Sequence, residues 1–332
     1  MTQVYPIPVE KSDAWFRQFF FRLANEPILA AFSSQDFSDP RVESPFIPPL
    51  VDWLLAWEPI EVRNPSLAQG MDGFAPMPSD QFWVGHFCYE AGFAQWPHKL
   101  PSVNGKAGYF FRPAHVLYAL NGQLHHSGPQ LPWLETWIQS GAVPNESVDF
   151  KVHTAVQAQW KFNKPEYLKK AASLLRLMDL GEIYEVNFCN KLQLNLPLDT
   201  NWPAFWLDWT ARQPMPFSAF LRTPQETVVS VSPERFACFR EGQWFSQPMK
   251  GTAPRAENSK EDREAASRLQ QNAKERSENI MIVDLVRHDL SQIAQKGTVK
   301  LQHLCQTVPF PGVHQMISTL SAKPKPHLAW YE

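Results

Sequence analysis

The amino-acid sequence predicts an α+β fold with antiparallel sheets rather than a doubly wound parallel sheet. Strand-like and helix-like stretches occur in separate blocks, whereas doubly wound proteins alternate the two. The segment HVLYALNGQLHH contains two alternating runs about Asn121-Gly122, a dipeptide that accepts the positive φ angles of a tight hairpin turn. From Pro165 to Gly181, apolar residues recur near the 3.6-residue period of a helix, and the glycine ends it.

The first half of the chain is irregular and rich in aromatic residues. A strand is predicted at residues 81–92, QFWVGHFCYEAG, where side chains alternate. Residues 127–149 mix Pro, Gly and Ser, a composition that predicts a loop or a mobile connection. We therefore expect a β-rich N-terminal region at residues 1–150 and a second domain at residues 151–332.

The second half predicts a block of strands followed by helix. A capping box of Ser259 and Asp262 is expected to begin one long helical region that runs to about Gln295. The predicted strands before it are FSAFLR, TVVSVSPERFACFR and QWFSQPMK.

Composition narrows the class of function. The 31 Lys and Arg residues nearly balance the 33 Asp and Glu residues, so the chain has no basic field that would attract nucleic acid or an anionic membrane. The four cysteines are far apart and form no Cys-x-x-Cys pair, which disfavours a zinc site or a disulfide framework. The N-terminus does not resemble a signal peptide and no apolar run is long enough to span a membrane. We expect a cytoplasmic protein whose partner is a small molecule or another protein.

Lys250, in the segment SQPMKGTAPR, is a candidate for chemistry. It follows a methionine and precedes Gly251 and Thr252, a pair that lets a small anionic ligand approach the backbone closely. Glu234 lies on the preceding strand of the same predicted hairpin. A three-residue loop, Glu241-Gly242-Gln243, would set Glu234 opposite Lys250, and a two-residue loop would put the two side chains on opposite faces.

The Glu234 and Lys250 pair has two interpretations. It is either a cross-strand ion pair that contributes a few tenths of a kcal/mol to about 1 kcal/mol, or a general acid beside an amine nucleophile.

Two further residues are candidates for a site. Glu278 extends by one turn the apolar stripe of the predicted helix, which consists of Ile282, Leu285, Val286, Leu290 and Ile293. It is either a metal ligand or a first-turn glutamate favoured by the helix dipole. His314 lies in an alternating segment after a Pro-Gly turn and is either a core histidine or part of a site.

Several stretches together resemble one family, the chorismate-utilising enzymes. This family includes component I of anthranilate synthase, component I of aminodeoxychorismate synthase and the isochorismate synthases. The matching stretches, which follow the family's order, are GHFCYEAG, GEIYEVNF, SVSPERF with QPMKGTAPR, KERSENIMIVDLVRHDL and VHQMISTL. The resemblance implies antiparallel sheets packed as a sandwich with flanking helices.

Within the family, the residue before Gly-Thr separates the activities. Anthranilate and isochorismate synthases usually have alanine there and aminodeoxychorismate synthases have lysine, so Lys250 implies the latter, an enzyme of 4-aminobenzoate and folate synthesis. The resemblance implies that Lys250 attacks C2 of chorismate and that Glu234 protonates the departing C4 hydroxyl. It also implies that Glu278 binds Mg²⁺, that Gly251 and Thr252 line the ring pocket, and that His314 lies near the reacting carbons.

The resemblance also implies a protein partner and marks a departure from the family. Ammonia would come from a glutamine amidotransferase subunit, because the chain has no Gly-x-Cys-x-Gly nucleophile of its own. The family continues for about another hundred residues after its VSTL-like segment, with further magnesium and carboxylate ligands. We therefore expect the 332-residue chain alone to bind chorismate weakly. The alternatives are anthranilate synthase component I and a non-catalytic remnant.

Overall fold

A computed structural model describes residues 2–6, 12–34, 51–74, 77, 81–93, 105–140 and 156–326. The helices are α1 (Ser12–Arg22), α2 (Pro132–Ser140), α3 (Lys164–Asp179), α4 (Trp202–Arg212), α5 (Ser259–Gln271) and α6 (Ala273–Ile293). The strands are β1 (Thr2–Pro6), β2 (Leu29–Ser33), β3 (Trp53–Arg63), β4 (Val84–Phe87), β5 (Gly108–Leu120), β6 (Gln123–Ser127), β7 (Gln157–Trp160), β8 (Leu192–Asn195), β9 (Phe217–Arg222), β10 (Thr227–Ser232), β11 (Arg235–Arg240), β12 (Gln243–Gln247), β13 (Met249–Pro254), β14 (Lys300–Phe310) and β15 (Val313–Ala322).

The chain divides into two compact units. The larger unit consists of residues 1–147 and 205–332, and the smaller unit consists of residues 148–204. The domain boundary expected near residue 150 stays a prediction, because residues 141–155 lie outside the described residues. Within the described ranges, no helix is both long and apolar enough to cross a membrane.

The first sheet of the larger unit is antiparallel, as the sequence predicts. Its strand order is β1-β6-β5-β3-β2-β9-β10. In addition, β4 pairs with residues 108–111 at the start of β5. The predicted hairpin is confirmed: Leu120 pairs with Gln123, and Asn121 and Gly122 have φ angles of 51° and 71°. Positive φ at both turn residues matches the right-handed twist of the flanking strands.

Large aromatic side chains pack α1 and α4 onto this sheet. Phe20 of α1 is fully buried, and its ring centroid lies 5.1 Å from that of Trp206 and 5.1 Å from that of Phe220. The indole N–H of Trp206 donates to the carbonyl of Ser230 at 3.3 Å. A buried indole N–H usually finds a hydrogen-bond partner, and this contact provides one for Trp206.

The second sheet of the larger unit is built around β15. The order is β11-β12-β15-β13, with β14 also paired to β15. Leu320 and Met316 of β15 pack against α6 and α5, whereas Ile317, next to Met316 and facing the opposite side, packs with Met215 and Phe310. Both faces of the strand are therefore covered.

The smaller unit contains α3 and the two-stranded sheet of β7 and β8. The helix predicted there is confirmed. Asn163 and Glu166 form a capping box at its start, and Gly181, with a φ of 73°, follows its end. Tyr167 of α3 stacks on Phe188 with ring centroids 4.7 Å apart.

The loop predicted at residues 127–149 is wrong in part, because it contains α2. Leu134 of this helix is buried, and the ring centroid of Trp137 lies 4.5 Å from that of Phe19. Proline is well tolerated in the first turn of a helix, so Pro132 begins α2. The surrounding Pro, Gly and Ser residues concealed a nine-residue helix.

The predicted strands are shorter than expected. The segment TVVSVSPERFACFR divides into β10 and β11 on either side of Pro233-Glu234, and these strands belong to different sheets. The segment QWFSQPMK is interrupted at Pro248, which separates β12 from β13. Proline cannot donate a ladder hydrogen bond. The strand expected at residues 81–92 comprises only β4, followed by a short 3-10 turn.

The single long helix expected from Ser259 is two helices. Asn272 ends α5 and also caps α6, where its side chain accepts from the N–H groups of Lys274 and Glu275. The capping box of Ser259 and Asp262 is likewise wrong, because Asn258 is the N-cap of α5. Asp262 is thereby available for other partners.

Candidate active site

The candidate residues lie where the second sheet is irregular. Glu234 stands between β10 and β11, at the point where the chain passes from the first sheet to the second. Lys250 and Gly251 follow the break at Pro248, near the start of β13. Irregular backbone of this kind turns side chains away from the regular alternation of a strand.

The register question between Glu234 and Lys250 has a definite answer. Arg240 pairs with Gln243, so the loop has two residues and the three-residue alternative is wrong. A bulge between Arg235 and Cys238 then shifts the register by one residue, and Arg235 pairs with Gln247. As a result, the Glu234 carboxylate accepts the backbone N–H of Met249 at 3.2 Å. The acid lies next to the residue that precedes Lys250.

Lys250 and Gly251 form a second bulge. Met249 pairs with Ile317 and Thr252 pairs with Gln315, so two residues of β13 face one residue of β15. Gly251 has a φ of 101°, a conformation that side chains rarely adopt. A Cβ atom at this position would lie 3.2 Å from the Cβ of Met316 in β15 and 3.3 Å from the Cβ of Glu275 in α6. Glycine here permits the first turn of α6 to approach the strand.

Thr252 contacts β15 through its side chain. The Thr252 hydroxyl donates to Oε1 of Gln315 at 3.0 Å, and Thr252 is exposed. The predicted role of Gly251 and Thr252 in lining a ring pocket stays a prediction.

Glu278 lies at the margin of the buried side of α6 rather than within it. Its side chain is 39% exposed and forms an ion pair with Lys274, with 3.5 Å between Oε1 and Nζ. The buried residues of the helix are Asn279, Val283 and Leu290, and Leu285 of the predicted stripe is 56% exposed. The predicted stripe is therefore confirmed in part, because Leu290 is buried and Val286 and Ile293 pack against the same core cluster, and it is wrong at Leu285.

Glu275 is a candidate that sequence reasoning missed. It precedes Glu278 by three residues, a spacing that puts two side chains on one side of a helix, and it is the acid beside Gly251. The signal was available in the sequence, because the motif KERSEN contains both glutamates.

The donor set fits Mg²⁺ in its chemistry. Mg²⁺ usually binds one or two carboxylates and completes its shell with water and ligand oxygens. Glu275 and Glu278 would supply the carboxylates, and a bound cation would replace Lys274 as the partner of Glu278. The part of the chain that the structure describes has no cluster of three His, Cys, Asp or Glu side chains that could hold a metal without such additional ligands.

His314 is buried beneath α5 and joined to Asp262. Its Nε2 lies 2.8 Å from Oδ1 of Asp262, and the imidazole is 5% exposed. Arg255 donates to both carboxylate oxygens of Asp262 from Nε, at 2.8 and 2.9 Å, and the N–H of Ala256 donates to Oδ1 at 3.0 Å. The Arg255 hydrogen bonds, followed by that of Ala256, hold the pKa of Asp262 well below its usual range.

This contact specifies which nitrogen of His314 carries hydrogen. An ionised carboxylate only accepts hydrogen bonds, so Nε2 is the donor to Asp262. The other nitrogen, Nδ1, is buried and has no hydrogen-bond partner within the described residues. The expected position of His314 near the reacting carbons stays a prediction, and its observed role is to join β15 to α5.

Sequence comparison assigns the chain to a family. The profile of the family described as chorismate binding enzyme matches residues 57–332, which include every candidate residue above. The chain belongs to the chorismate-binding enzymes. The resemblance seen in the sequence motifs is thus confirmed at the level of the family.

Two relatives show how far the similarity extends. Aminodeoxychorismate synthase component 1 of Salmonella typhimurium is 36% identical over 187 residues, which cover 56% of this chain and 40% of the relative. The Escherichia coli protein of the same name is 37% identical over 168 residues, which cover 50% of this chain and 37% of the relative. The match thus spans about two-fifths of the length of these relatives.

A solved structure supports the fold assignment. Anthranilate synthase component I of Streptococcus pneumoniae superimposes with a TM-score of 0.65 at 16% identity, covering 90% of this chain and 77% of that one. At this identity, the likeness shows the fold shared by chorismate-binding enzymes, as the sequence analysis expected.

Replacing Gly251 with alanine tests how closely β15 and α6 approach this residue. We expect Gly251→Ala to lower the free energy of unfolding by at least about 1–2 kcal/mol, the usual penalty for a side chain at positive φ. Gly242→Ala is the matched control, because Gly242 has a φ of 77° but an added Cβ there would meet no atom within 4 Å. Urea unfolding of both variants provides the measurement, and equal losses would show that neither Met316 nor Glu275 crowds the site.

The charge on Asp262 should make part of the stability depend on pH. Because its folded pKa is depressed, this contribution is present above the ordinary aspartate pKa of about 4 and is lost as pH falls below that value. We expect Asp262→Asn to lower the urea midpoint at pH 7 and to approach the wild type as pH falls below about 4. Asp284→Asn, which breaks an exposed pair with Arg287, is the control and should change little at any pH. A wild-type advantage over Asp262→Asn that stays constant down to pH 3 would contradict this assignment.

Proposed function

We propose that this protein acts as an aminodeoxychorismate synthase component I, converting chorismate and ammonia to 4-amino-4-deoxychorismate for 4-aminobenzoate and folate synthesis. The observation that carries the proposal is the position of Lys250. It lies in a bulge immediately before Gly251 and Thr252, beside the helix turn that contains Glu275. The relatives of that name at 36% and 37% identity add support.

Lys250 would act as the nucleophile. Its neutral amine would form a bond to C2 of the chorismate ring, the two ring double bonds would shift, and the bond from C4 to its hydroxyl oxygen would break. Ammonia would then form a bond to C4, the double bonds would shift back, and the bond from C2 to Lys250 would break. The lysine is regenerated, and the net result is exchange of the hydroxyl for an amino group with release of water.

Glu234 would act as the general acid. Hydroxide is a poor leaving group, so a carboxylic acid that delivers a proton to the departing oxygen lowers the barrier. The resulting carboxylate can accept a proton from the incoming ammonia. The hydrogen bond from the Met249 N–H holds this side chain beside the Lys250 segment, which suits two groups that act on one ring.

The remaining candidates would bind the substrate. Glu278, with Glu275, would hold Mg²⁺, which when bound offsets the negative charge of the ring carboxylate. Gly251 and Thr252 would line the ring, and His314 would lie near the reacting carbons, held by Asp262.

A glutamine amidotransferase subunit is proposed as the source of ammonia. The Salmonella typhimurium and Escherichia coli relatives are named component 1, a name that implies a second component. The four cysteines of this chain lie in the contexts HFCYE, NFCNK, FACFR and HLCQT, and none is flanked by glycines as an amidotransferase nucleophile would be.

Lys250→Ala tests the nucleophile. In the purified protein with chorismate, ammonia and magnesium, we expect the rate of product formation to fall by roughly 10³-fold or more, because a methyl group cannot replace an amine nucleophile. Coupling to the downstream lyase reports the product as 4-aminobenzoate. Lys260→Ala, at the exposed start of α5, is the control and should retain wild-type turnover.

The same reaction mixture also distinguishes an aminodeoxychorismate synthase from an anthranilate synthase. Wild-type turnover by Lys250→Ala would exclude the nucleophilic role. A fluorescent product identified as anthranilate would assign the protein to the anthranilate synthases instead.

The nitrogen source provides an independent test. We expect glutamine to support the reaction only after an amidotransferase subunit is added, whereas ammonium salts support it without that subunit. Product formed from glutamine by this polypeptide alone would contradict the proposed partner. An amidotransferase whose nucleophilic cysteine is replaced by alanine serves as the control and should restore no glutamine-dependent activity.

A further inference from the structure

The side chain of Asn279 is a buried hydrogen-bonding hub in α6. It is 1% exposed. Its Nδ2 donates to the carbonyl of Lys250 and to the carbonyl of Met316, each at 3.1 Å. Its Oδ1 accepts from the hydroxyl of Ser318 at 2.5 Å and lies 3.6 Å from the sulfur of Cys305. The amide thus uses both of its donors and its acceptor oxygen.

The two carbonyls that Asn279 binds lie at the irregular point of the sheet. The β13–β15 ladder is regular at Met249 and from Thr252 onward, and it shifts by one residue between them. A bulge of this kind removes backbone groups from the ladder, and a buried carbonyl without a hydrogen-bond partner destabilises the fold. The NH₂ group of Asn279 donates to one carbonyl from each of the two strands at the bulge, that of Lys250 in β13 and that of Met316 in β15.

The position of Asn279 in α6 links the Lys250 carbonyl to the helix turn that contains the candidate metal ligands. Asn279 follows Glu278 directly and lies four residues after Glu275, the acid beside Gly251. A helix is rigid over one turn, so the bonds from Asn279 determine how far the backbone of Lys250 stands from these two carboxylates.

We propose that Asn279 is a positioning residue that holds the Lys250 bulge in the orientation needed for attack on the ring. Asn279 does not touch the substrate and acts through the backbone of Lys250. The proposal rests on the proposed function for its effect on rate, whereas its effect on the lysine itself can be measured without any reaction.

Ser318 is the matched control for the loss of stability. Its hydroxyl donates to Oδ1 of Asn279 and accepts the N–H of Cys305 at 2.9 Å. Ser318→Ala therefore breaks buried hydrogen bonds in the same cluster but leaves both Nδ2 donors on the carbonyls of Lys250 and Met316. Asn279→Ala removes those donors. Asn279→Asp also removes them while keeping the shape of the side chain and the acceptor for Ser318.

The first measurement is kinetic and uses the purified protein with ammonia as the nitrogen source. We expect both Asn279 variants to lose about 10- to 100-fold in kcat, the scale expected for a misplaced reacting group. We expect the KM for chorismate to change by less than about threefold, because ground-state contacts with the substrate are retained. Ser318→Ala should be destabilised in urea and yet keep a kcat close to that of the wild type.

The second measurement reports on Lys250 without catalysis. Trace labelling with acetic anhydride, followed by peptide mass spectrometry, gives the reactivity of the Lys250 amine relative to that of Lys260. We expect this ratio to rise at least about threefold in Asn279→Asp, because the bulge is released, and to stay unchanged in Ser318→Ala. If Asn279→Ala does not fold, Asn279→Asp provides both measurements.

The outcomes separate the inference from the proposed function. Unchanged labelling of Lys250 in Asn279→Asp would overturn the positioning role whatever the activity. A kcat loss in Ser318→Ala equal to that in Asn279→Asp would also overturn it, because loss of stability would then explain both. Changed labelling together with full turnover by Lys250→Ala would show that Asn279 holds the Lys250 bulge, but it would reject Lys250 as the nucleophile and with it the role of Asn279 in the attack.

Discussion

The second sheet depends on the hydrogen bonding of a single strand, β15. It pairs with β14 along one side and with β12 and β13 along the other. From Met316 to Ala322 every residue is buried, and the two faces pack against different layers. A shift by one residue would exchange these faces, so the register of β15 is strongly constrained. The bulges in the strands that pair with β15 therefore stay at fixed positions in the sheet.

The candidate active site uses these irregularities. Pro248 divides β12 from β13, a bulge follows at Lys250 and Gly251, and a further bulge in β11 brings Glu234 to the N–H of Met249. In a regular ladder, side chains would point alternately to the two faces. The departures from regularity bring the carboxylate of Glu234 to the backbone just before Lys250, and glycine at position 251 lets the first turn of α6 come close to β13.

Charge is distributed unevenly between the two sides of this region. Asp262, in α5, accepts hydrogen bonds from Arg255, Ala256 and His314 and remains ionised. It is therefore a structural anion between α5 and the second sheet. Among the described residues, Glu278 forms its ion pair with Lys274, which is itself exposed. An exposed ion pair of this kind contributes little to stability, so Glu278 can exchange its lysine for another cation at small cost. Asp262 therefore stabilises the fold, whereas Glu278 is the carboxylate that is free to take a cation as its partner.

The sequence alone determined the features that depend on a few neighbouring residues. The Asn121-Gly122 turn, the beginning and end of α3, the antiparallel class and the family motifs around Lys250 and Glu278 were all readable from local pattern, because φ preferences, capping and motif spacing act over short distances. The tertiary structure decided that Asn279 and Val283 of α6 are buried while Leu285 is exposed, where the strands break, that α2 exists, and that Asp262 joins Arg255 and His314 instead of capping α5. Those outcomes depend on contacts between residues far apart in the chain. Asn279 illustrates the difference: an asparagine in a helix has no distinctive local signal, and its function as a hub arises only where two strands bring the carbonyls of Lys250 and Met316 to the same amide.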